Sequence, residues 1–110
     1  MLKSIMYKVE ILRTAWDDLE RIADMHLSLV GSKSAKKITD GILDSIDTLK
    51  ISPYGYPTVP NEDLAELGYR MVVYKKYLAI YRIIDDVVYV YHIADGRSNY
   101  PQIVKGYKFQ

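Results

Sequence analysis

The chain has 110 residues, the length of one domain, and a globular chain of this size buries roughly two-thirds of the surface that its unfolded form exposes. It has no cysteine, which excludes disulfides and thiolate zinc sites, and it has no stretch of about 18 apolar residues that could span a membrane. With a formal net charge of +1 and no secretory signal pattern at the N-terminus, the sequence predicts one cytoplasmic domain, residues 1–110, without membrane association.

The two parts of the chain differ in charge. Residues 1–68 carry eight lysines and arginines against eleven aspartates and glutamates, whereas residues 69–110 carry seven against three. Most of the eleven tyrosines also lie in the C-terminal part, and tyrosine combines a flat stacking face with a polar tip. This part therefore suits a phosphate group or an acidic protein partner, with an ordinary scatter of surface charge as the alternative.

The first predicted elements are a strand and a helix. Residues 7–12 alternate apolar and charged side chains, which is typical of a strand with one buried face. Thr14 is the predicted N-cap of the helix, with Asp17 three residues later as in a capping box. The helix then carries a stripe at helical spacing that ends before Gly31. The stripe consists of Ala15, Leu19, Ile22, His26 and Leu29.

A second helix follows after a short connection. Ser32 or Ser34 is its predicted N-cap, and it must end near Ser52 and Pro53, because the residue before proline disfavours helical geometry. Its apolar stripe consists of Ile38, Ile42, Ile46 and Leu49. Since few residues separate the two helices, they are predicted to form an antiparallel hairpin whose stripes face a sheet.

The C-terminal half is predicted to be mostly sheet. A proline-rich loop runs from Pro53 to about Asn61, and three β-prone segments follow at 69–74, 77–84 and 87–93. The pairs Lys75-Lys76 and Asp85-Asp86 are predicted tight turns, which make neighbouring strands antiparallel. The predicted fold class is α+β, in the order β-α-α-β-β-β, with an antiparallel sheet covered on one face by the helical hairpin.

Two segments carry a resemblance to a known family. Residues 67–86, LGYRMVVYKKYLAIYRIIDD, resemble the central hairpin of RelE/ParE-family toxins, in which an arginine-bearing strand, a basic turn and a tyrosine-flanked apolar strand precede an acidic turn. Residues 93–100, IADGRSNY, resemble the family's terminal segment of glycine, arginine, an acid or amide, and an aromatic residue. The order of the preceding elements agrees, so the resemblance covers nearly the whole chain.

The resemblance implies a RelE/ParE-like fold and a toxin of a type II toxin-antitoxin module. Its ribonuclease members cut messenger RNA in the ribosome without a metal, which requires cations that stabilise a phosphorane and groups that move protons. The implied catalytic residues are Arg97, Tyr100 and Arg70, and the implied substrate-binding residues are Lys75, Lys76, Arg82 and His92. Neither a cofactor nor a metal is expected, because the sequence has no HExxH motif, phosphate loop or paired-carboxylate spacing.

Each of these residues also has a structural interpretation. Arg70 could pair with a neighbouring acid, the two lysines could simply solubilise a turn, and the role of Arg82 stays open. Tyr100 could close the edge of the sheet as a core aromatic. Strand alternation places His92 on the side of Val90 and Ala94, which favours a histidine at the edge of the core over a substrate ligand.

The activity implied by the resemblance has alternatives. Many family members carry a second arginine where this chain has Ser98, and ribonuclease members carry an arginine where this chain has Leu78. The first function is an endoribonuclease that cleaves ribosome-bound mRNA. The alternatives are a ParE-like toxin that binds DNA gyrase without catalysis, an inactive family member, or a nucleic-acid-binding module without toxicity. A cognate antitoxin is the implied partner, and operator DNA would be bound only through the antitoxin complex.

Overall fold

A computed structural model describes residues 6–98 and 100–101 of the chain. Its helices and strands, in chain order, are β1 (Lys8–Ile11), α1 (Arg13–Leu29), α2 (Ser32–Asp47), α3 (Glu62–Glu66), β2 (Arg70–Tyr74), β3 (Tyr77–Ile84) and β4 (Val87–Asp95). The predicted α+β fold class is confirmed, and the short helix α3 is an element that the sequence did not predict. Across the described ranges, no helix has the length and apolar composition needed to cross a membrane.

The four strands form one sheet in the order β1-β4-β3-β2. β2, β3 and β4 are antiparallel neighbours, as their tight turns require. β1, however, runs parallel to β4, so the sheet is mixed rather than wholly antiparallel. The helices α1 and α2 lie in the long connection between β1 and the three later strands.

Both predicted hairpin turns lie where the dipeptides indicated. Asp85 and Asp86 have φ angles of 51° and 65°, and Lys75 has a φ of 54°. Left-handed backbone of this kind matches the twist of a two-residue hairpin, and aspartate adopts it more readily than most residues do. These turns bring β2, β3 and β4 into register with one another.

The helical hairpin packs on one face of the sheet. The predicted stripe of α2 is buried, as are Ala15, Leu19 and Ile22 of α1. They meet strand residues that include Val72, Ala79, Tyr81, Val88, Val90 and Ile93, and together these residues form the helix-side cluster. The α1 stripe does not stay buried to its end, because Leu29 is 78% exposed.

The opposite face of the sheet has a second apolar cluster, which we call the far-face cluster. It consists of Val59, Leu64, Tyr69, Leu78, Ile80, Ala94 and Tyr100. The irregular segment before β2 covers this cluster. Asn61 caps α3 within that segment, and its side-chain oxygen accepts a hydrogen bond from Leu64 N at 3.1 Å. The prediction that only a helix pair covers the sheet was therefore incomplete.

The predicted helix caps were wrong. α1 begins at Arg13, so Thr14 lies inside its first turn and its Oγ1 donates to the carbonyl of Tyr91 at 2.5 Å instead of capping the helix. α2 begins at Ser32 after Gly31, whose φ of 132° suits glycine, and no side chain caps it. The local pattern predicted that the Thr14 hydroxyl caps the helix, but the hydroxyl instead binds a carbonyl of β4 across the interface between α1 and the sheet.

A β-bulge interrupts β4. Ile80 pairs with His92 and Tyr81 pairs with Val90, which leaves Tyr91 as the extra residue. The bulge resets the alternation of side chains, so Val90 lies in the helix-side cluster and Ala94 lies in the far-face cluster. The prediction that these two residues share one side of the sheet was therefore wrong.

Side chains from α1 bind the polar groups of the bulge. Asp18 Oδ2 accepts hydrogen bonds from His92 Nδ1 at 2.7 Å and from the backbone N–H of Ile93 at 2.9 Å, and Asp18 Oδ1 accepts one from Arg21. Thr14 lies four residues before Asp18, on the same face of the helix, and binds the carbonyl of Tyr91. These contacts hold α1 on β4 and satisfy the backbone that a bulge leaves unpaired.

Candidate functional site

One end of the sheet concentrates positive charge. The turn after β2 supplies Lys75 and Lys76, and the segment after β4 supplies Arg97; together with Asp95 they form what we call the basic end. The backbone N–H of Gly96 donates to the carbonyl of Lys76 at 2.8 Å, which joins the two segments. A Cβ on Gly96 would lie 3.4 Å from that carbonyl oxygen, so a glycine permits this close approach without crowding.

Arg97 is held by Asp95 at this end. Arg97 Nε lies 3.2 Å from Asp95 Oδ1, Arg97 Nη2 lies 3.1 Å from Oδ2, and the backbone N–H of Arg97 donates to Oδ1 at 2.9 Å. Lys76 Nζ lies 3.7 Å from Asp95 Oδ2. The Arg97 side chain is nevertheless 79% exposed, so its guanidinium faces solvent while one of its edges is occupied by the carboxylate.

The charge of Asp95 depends on this contact. Hydrogen bonds from the side chain and backbone of Arg97 are the main reason that the pKa of Asp95 is lowered to about 2, and the charges of Arg97 and Lys76 make smaller contributions. Conversely, the Asp95 carboxylate raises the pKa of Arg97. Because the folded-state pKa of Asp95 is depressed, its stabilising contact is present above its unfolded pKa and is lost as the pH falls from about 4 towards 2.

We expect the Asp95 side-chain carboxyl to titrate near pH 2, measured by the pH dependence of its ¹³C resonance. In an Arg97→Gln variant the midpoint should rise towards the ordinary aspartate value of about 4, because the neutral amide no longer favours the carboxylate. The control variant is Lys36→Gln, which removes a cation from an exposed ion pair on α2 and should leave the Asp95 midpoint at its wild-type value. Equal Asp95 midpoints in the wild type and Arg97→Gln would show that the ion pair does not persist in solution.

Arg70 lies away from the basic end. It alternates along β2 with Val72, which places it on the helix-covered face, and its Nη1 donates to the carbonyl of Tyr56 at 2.5 Å. Its guanidinium carbon also lies 5.3 Å from the ring centroid of Tyr54. The partners of Arg70 are thus loop carbonyls and an aromatic ring, not the neighbouring acid suggested by the sequence.

Arg82 lies on the opposite face from Arg70. It follows Ile80 in the alternation of β3, and its guanidinium carbon lies 5.0 Å from the ring centroid of Tyr69. Tyr69 in turn meets Tyr91 edge to face, with ring centroids 5.2 Å apart. Arg82 is thus a cation stacked on the ring of Tyr69 at the far face, on the other side of the sheet from Arg70.

Tyr100 and His92 are both buried. Tyr100 belongs to the far-face cluster, as the core interpretation expected, and His92 binds Asp18 between α1 and β4. His92 is 8% exposed, which leaves little of its ring for contact with a substrate. From the predicted set, the structure therefore places Lys76 beside the Asp95–Arg97 pair, with Lys75 in the same turn. Arg70 binds the loop before β2, and Tyr100 and His92 are buried.

Leu78 occupies the position at which the resemblance implies an arginine in ribonuclease members. It is buried in the far-face cluster. Asn99, part of the segment that carried the resemblance, and Lys105 and Lys108, part of the basic half, lie outside the described residues. Among residues 6–98 and 100–101, no group of three or more histidines or acidic residues is arranged to hold a metal ion.

Two residues of this region were missed by sequence reasoning. Asp95 contacts both Arg97 and Lys76, and the sequence signal was an acid directly before a glycine and an arginine at a strand end. Asp18 carries no sequence signal that distinguishes it from Asp17 beside it. Its role depends on the bulge in β4, and the amino-acid pattern of that strand does not show where the bulge lies.

Comparisons with known proteins agree with this fold. The family model described as the ParE toxin of the type II toxin-antitoxin system parDE matches residues 9–100. The chromosomal ParDE system from P. aeruginosa is similar with a TM-score of 0.71 and 22% identity, over 82% of this chain and 96% of that chain. The toxin-antitoxin complex RelBE2 from Mycobacterium tuberculosis is similar with a TM-score of 0.62 and 18% identity, over 84% and 94% of the two chains.

A comparison with curated proteins gives no match. The two solved structures share the fold at low identity, whereas the family model covers most of the chain, from Val9 in β1 to Tyr100. The chain therefore belongs to the ParE toxin family of type II toxin-antitoxin systems, within the RelE/ParE group.

Proposed function

We propose that this toxin acts without cutting RNA, by binding a target protein, and that the target is DNA gyrase. The observation that carries this proposal is the separation of the three residues implied for catalysis. Arg97 is exposed at the basic end, Tyr100 is buried in the far-face cluster, and Arg70 binds loop carbonyls on the helix-covered face. General acid and base groups must reach the same reacting atoms, and the different surroundings of these three side chains support binding over catalysis.

Leu78 supports the same proposal. An arginine at that position would carry a charge into the far-face cluster, where Ile80 and Ala94 now pack against the leucine. The described chain has instead an exposed basic end and an arginine, Arg82, stacked on the ring of Tyr69. Such features suit binding to a protein or nucleic-acid surface.

The test is the activity of the purified chain on DNA gyrase and on RNA. We expect loss of DNA supercoiling by gyrase, with the DNA damage response induced in cells and transcripts left intact. Arg97→Gln should weaken the inhibition about tenfold if it removes a charged contact worth about 1.4 kcal/mol. Asp40→Asn, a change of one exposed charge on α2, is the control. Cut transcripts with unaffected gyrase would contradict the proposal.

The second candidate is cleavage of ribosome-bound mRNA. One observation favours it: Arg97 is an exposed guanidinium beside Lys76, and this pairing suits a phosphate that gains charge in a transition state. If this candidate is right, Arg97→Ala abolishes cleavage while the chain stays folded, as judged by circular dichroism. Cleavage that persists in that variant would remove Arg97 from the site.

We also propose that a cognate antitoxin binds and restrains this chain. The two similar solved structures are a ParDE system and a RelBE2 toxin-antitoxin complex. Contact with operator DNA would then occur only through the antitoxin complex. Co-expression of the protein encoded by the neighbouring reading frame should restore growth to cells that make the toxin, and a failure to restore growth would show that this protein is not the antitoxin.

A further inference from the structure

An apolar pocket lies at the end of α1, directly beside the basic end. Its volume is about 230 Å³, and it is lined by Met25, His26, Leu29, Val30 and Lys76. Leu29 is 78% exposed and Val30 is 70% exposed, although both are aliphatic. Adjacent exposed aliphatic side chains around a concave surface are typical of a site that another molecule covers.

The floor of this pocket is held in place by polar contacts. His26 Nε2 lies 3.0 Å from the hydroxyl of Tyr77, and His26 Nδ1 lies 3.2 Å from the hydroxyl of Ser34. These contacts join α1 to both α2 and β3. The pocket is thus preformed, and a ligand that fills it need not organise its walls.

Lys76 connects the pocket to the basic end. It lines the pocket, and its Nζ lies 3.7 Å from the Asp95 carboxylate that holds Arg97. Asp95 occupies the Nε and Nη2 edge of Arg97, and a guanidinium has five N–H donors. Among residues 6–98 and 100–101, none binds the Nη1 side, which can therefore take a second oxyanion. An apolar surface and positive charge that Asp95 only partly neutralises therefore lie side by side.

We propose that the pocket and the basic end together form a docking site for a peptide segment of a protein partner in which an aliphatic side chain neighbours a carboxylate. The aliphatic side chain fills the space between Leu29 and Met25, and the carboxylate binds Lys76 and Arg97. Asp95 acts as an internal counter-ion that weakens the site for other acids. This inference rests on the proposed restraint by an antitoxin and specifies the chemistry of the segment that would bind here.

The pocket wall favours a peptide over a nucleic acid. A phosphate backbone would satisfy Lys76 and Arg97 but would leave Leu29 and Val30 exposed to water. Bases bind single-stranded sites by stacking on aromatic side chains, whereas the exposed side chains around this pocket are mainly aliphatic. An acidic and aliphatic segment matches both parts of the surface.

The test uses short probes and the whole chain, observed by amide resonances during titration. The probes are an acetylated and amidated peptide of alternating leucine and glutamate, its twin with glutamine in place of glutamate, and a single-stranded RNA oligonucleotide. We expect the acidic peptide to shift the resonances of Leu29, Val30, Lys76 and Arg97 together and to bind about tenfold more tightly than its twin.

Variants separate this site from a merely structural ion pair. Asp95→Asn and Arg97→Gln both break the same pair, yet the first should strengthen binding of the acidic peptide about fivefold and the second should weaken it about fivefold. Leu29→Ser should weaken binding without changing the charge. Asp40→Asn, which removes a carboxylate from the exposed pair with Lys36, should leave the affinity unchanged.

Three results would overturn the proposal. RNA that displaces the peptide and shifts Lys76 and Arg97 without Leu29 would assign the site to phosphate. Equal affinities for the acidic peptide and its glutamine twin would show that Lys76 and Arg97 do not bind the carboxylates. Weaker binding by Asp95→Asn would make the carboxylate a structural support instead of a counter-ion.

The outcome is separable from the proposed function, because the titration does not measure growth arrest or gyrase activity. If the toxin leaves gyrase untouched, the peptide titration still decides whether the site exists. If an antitoxin protects cells equally well from the wild-type chain and from Leu29→Ser at limiting antitoxin, the docking inference fails while the toxin-antitoxin pairing stands.

Discussion

Asp18→Ala should lower the free energy of unfolding by about 3 kcal/mol, because it removes the acceptor of several buried hydrogen bonds at once. Asp18 is 5% exposed, and its carboxylate binds His92 Nδ1, the backbone N–H of Ile93 and the Arg21 side chain. An alanine cannot accept any of these bonds, so His92 Nδ1 and the backbone N–H of Ile93 lose their acceptor. Urea denaturation followed by circular dichroism measures the change.

Two further variants give this prediction its controls. Asp18→Asn keeps an oxygen that can accept from both His92 and Ile93, so it should cost only about 1 kcal/mol. Asp17→Ala removes the exposed carboxylate one residue earlier in the same helix and should stay within about 0.5 kcal/mol of the wild type. If Asp18→Ala and Asp17→Ala were equally stable, the bulge would not depend on α1.

Gly41→Ala should lower the free energy of unfolding by about 2 kcal/mol, although alanine is the better helix former. A Cβ at this position of α2 would lie 2.1 Å from Cζ and 2.5 Å from the hydroxyl oxygen of Tyr74. The Tyr74 ring, which packs against the helix-side cluster, must therefore move out of its place on the helix. The measurement is again urea denaturation.

The sign of the Gly41 effect should depend on Tyr74. In a Tyr74→Ala background the ring is gone, so Gly41→Ala should raise the free energy of unfolding by about 1 kcal/mol through helix propensity alone. A double-mutant cycle over the two positions isolates the clash from the loss of the tyrosine. Stabilisation by Gly41→Ala in both backgrounds would show that the ring can turn aside without cost.

Much of the fold follows from local patterns in the sequence. The apolar stripe predicted for the second helix, from Ile38 to Leu49, is buried as its spacing predicts, although Leu49 lies just beyond the end of α2. The Lys75-Lys76 and Asp85-Asp86 dipeptides lie in the tight turns. These features depend on a few neighbouring residues, which is why periodicity and turn chemistry reveal them. The central hairpin that carried the family resemblance is built from the same local features.

The parts that the sequence did not predict depend on contacts between distant residues. Threonine is a common helix N-cap, yet the Thr14 hydroxyl donates to the carbonyl of Tyr91 instead. The two groups meet only because α1 packs on β4. The bulge that exposes this carbonyl is likewise a property of the pairing between β3 and β4. The composition of the candidate site was not predicted for the same reason. Arg70 and Arg82 are both arginines on neighbouring strands, but the alternation of side chains places them on opposite faces of the sheet.

The parallel pairing of β1 with β4 has a consequence for synthesis of the toxin in the cell. Lys8 pairs with Val87, so a strand made at the start of translation finds its partner only near the end. Contacts between such distant residues form late and slow the folding of a chain. A nascent chain that stops before β4 lacks both the neighbour of β1 and the arginine that follows it, so prematurely ended products carry neither a closed sheet nor the basic end.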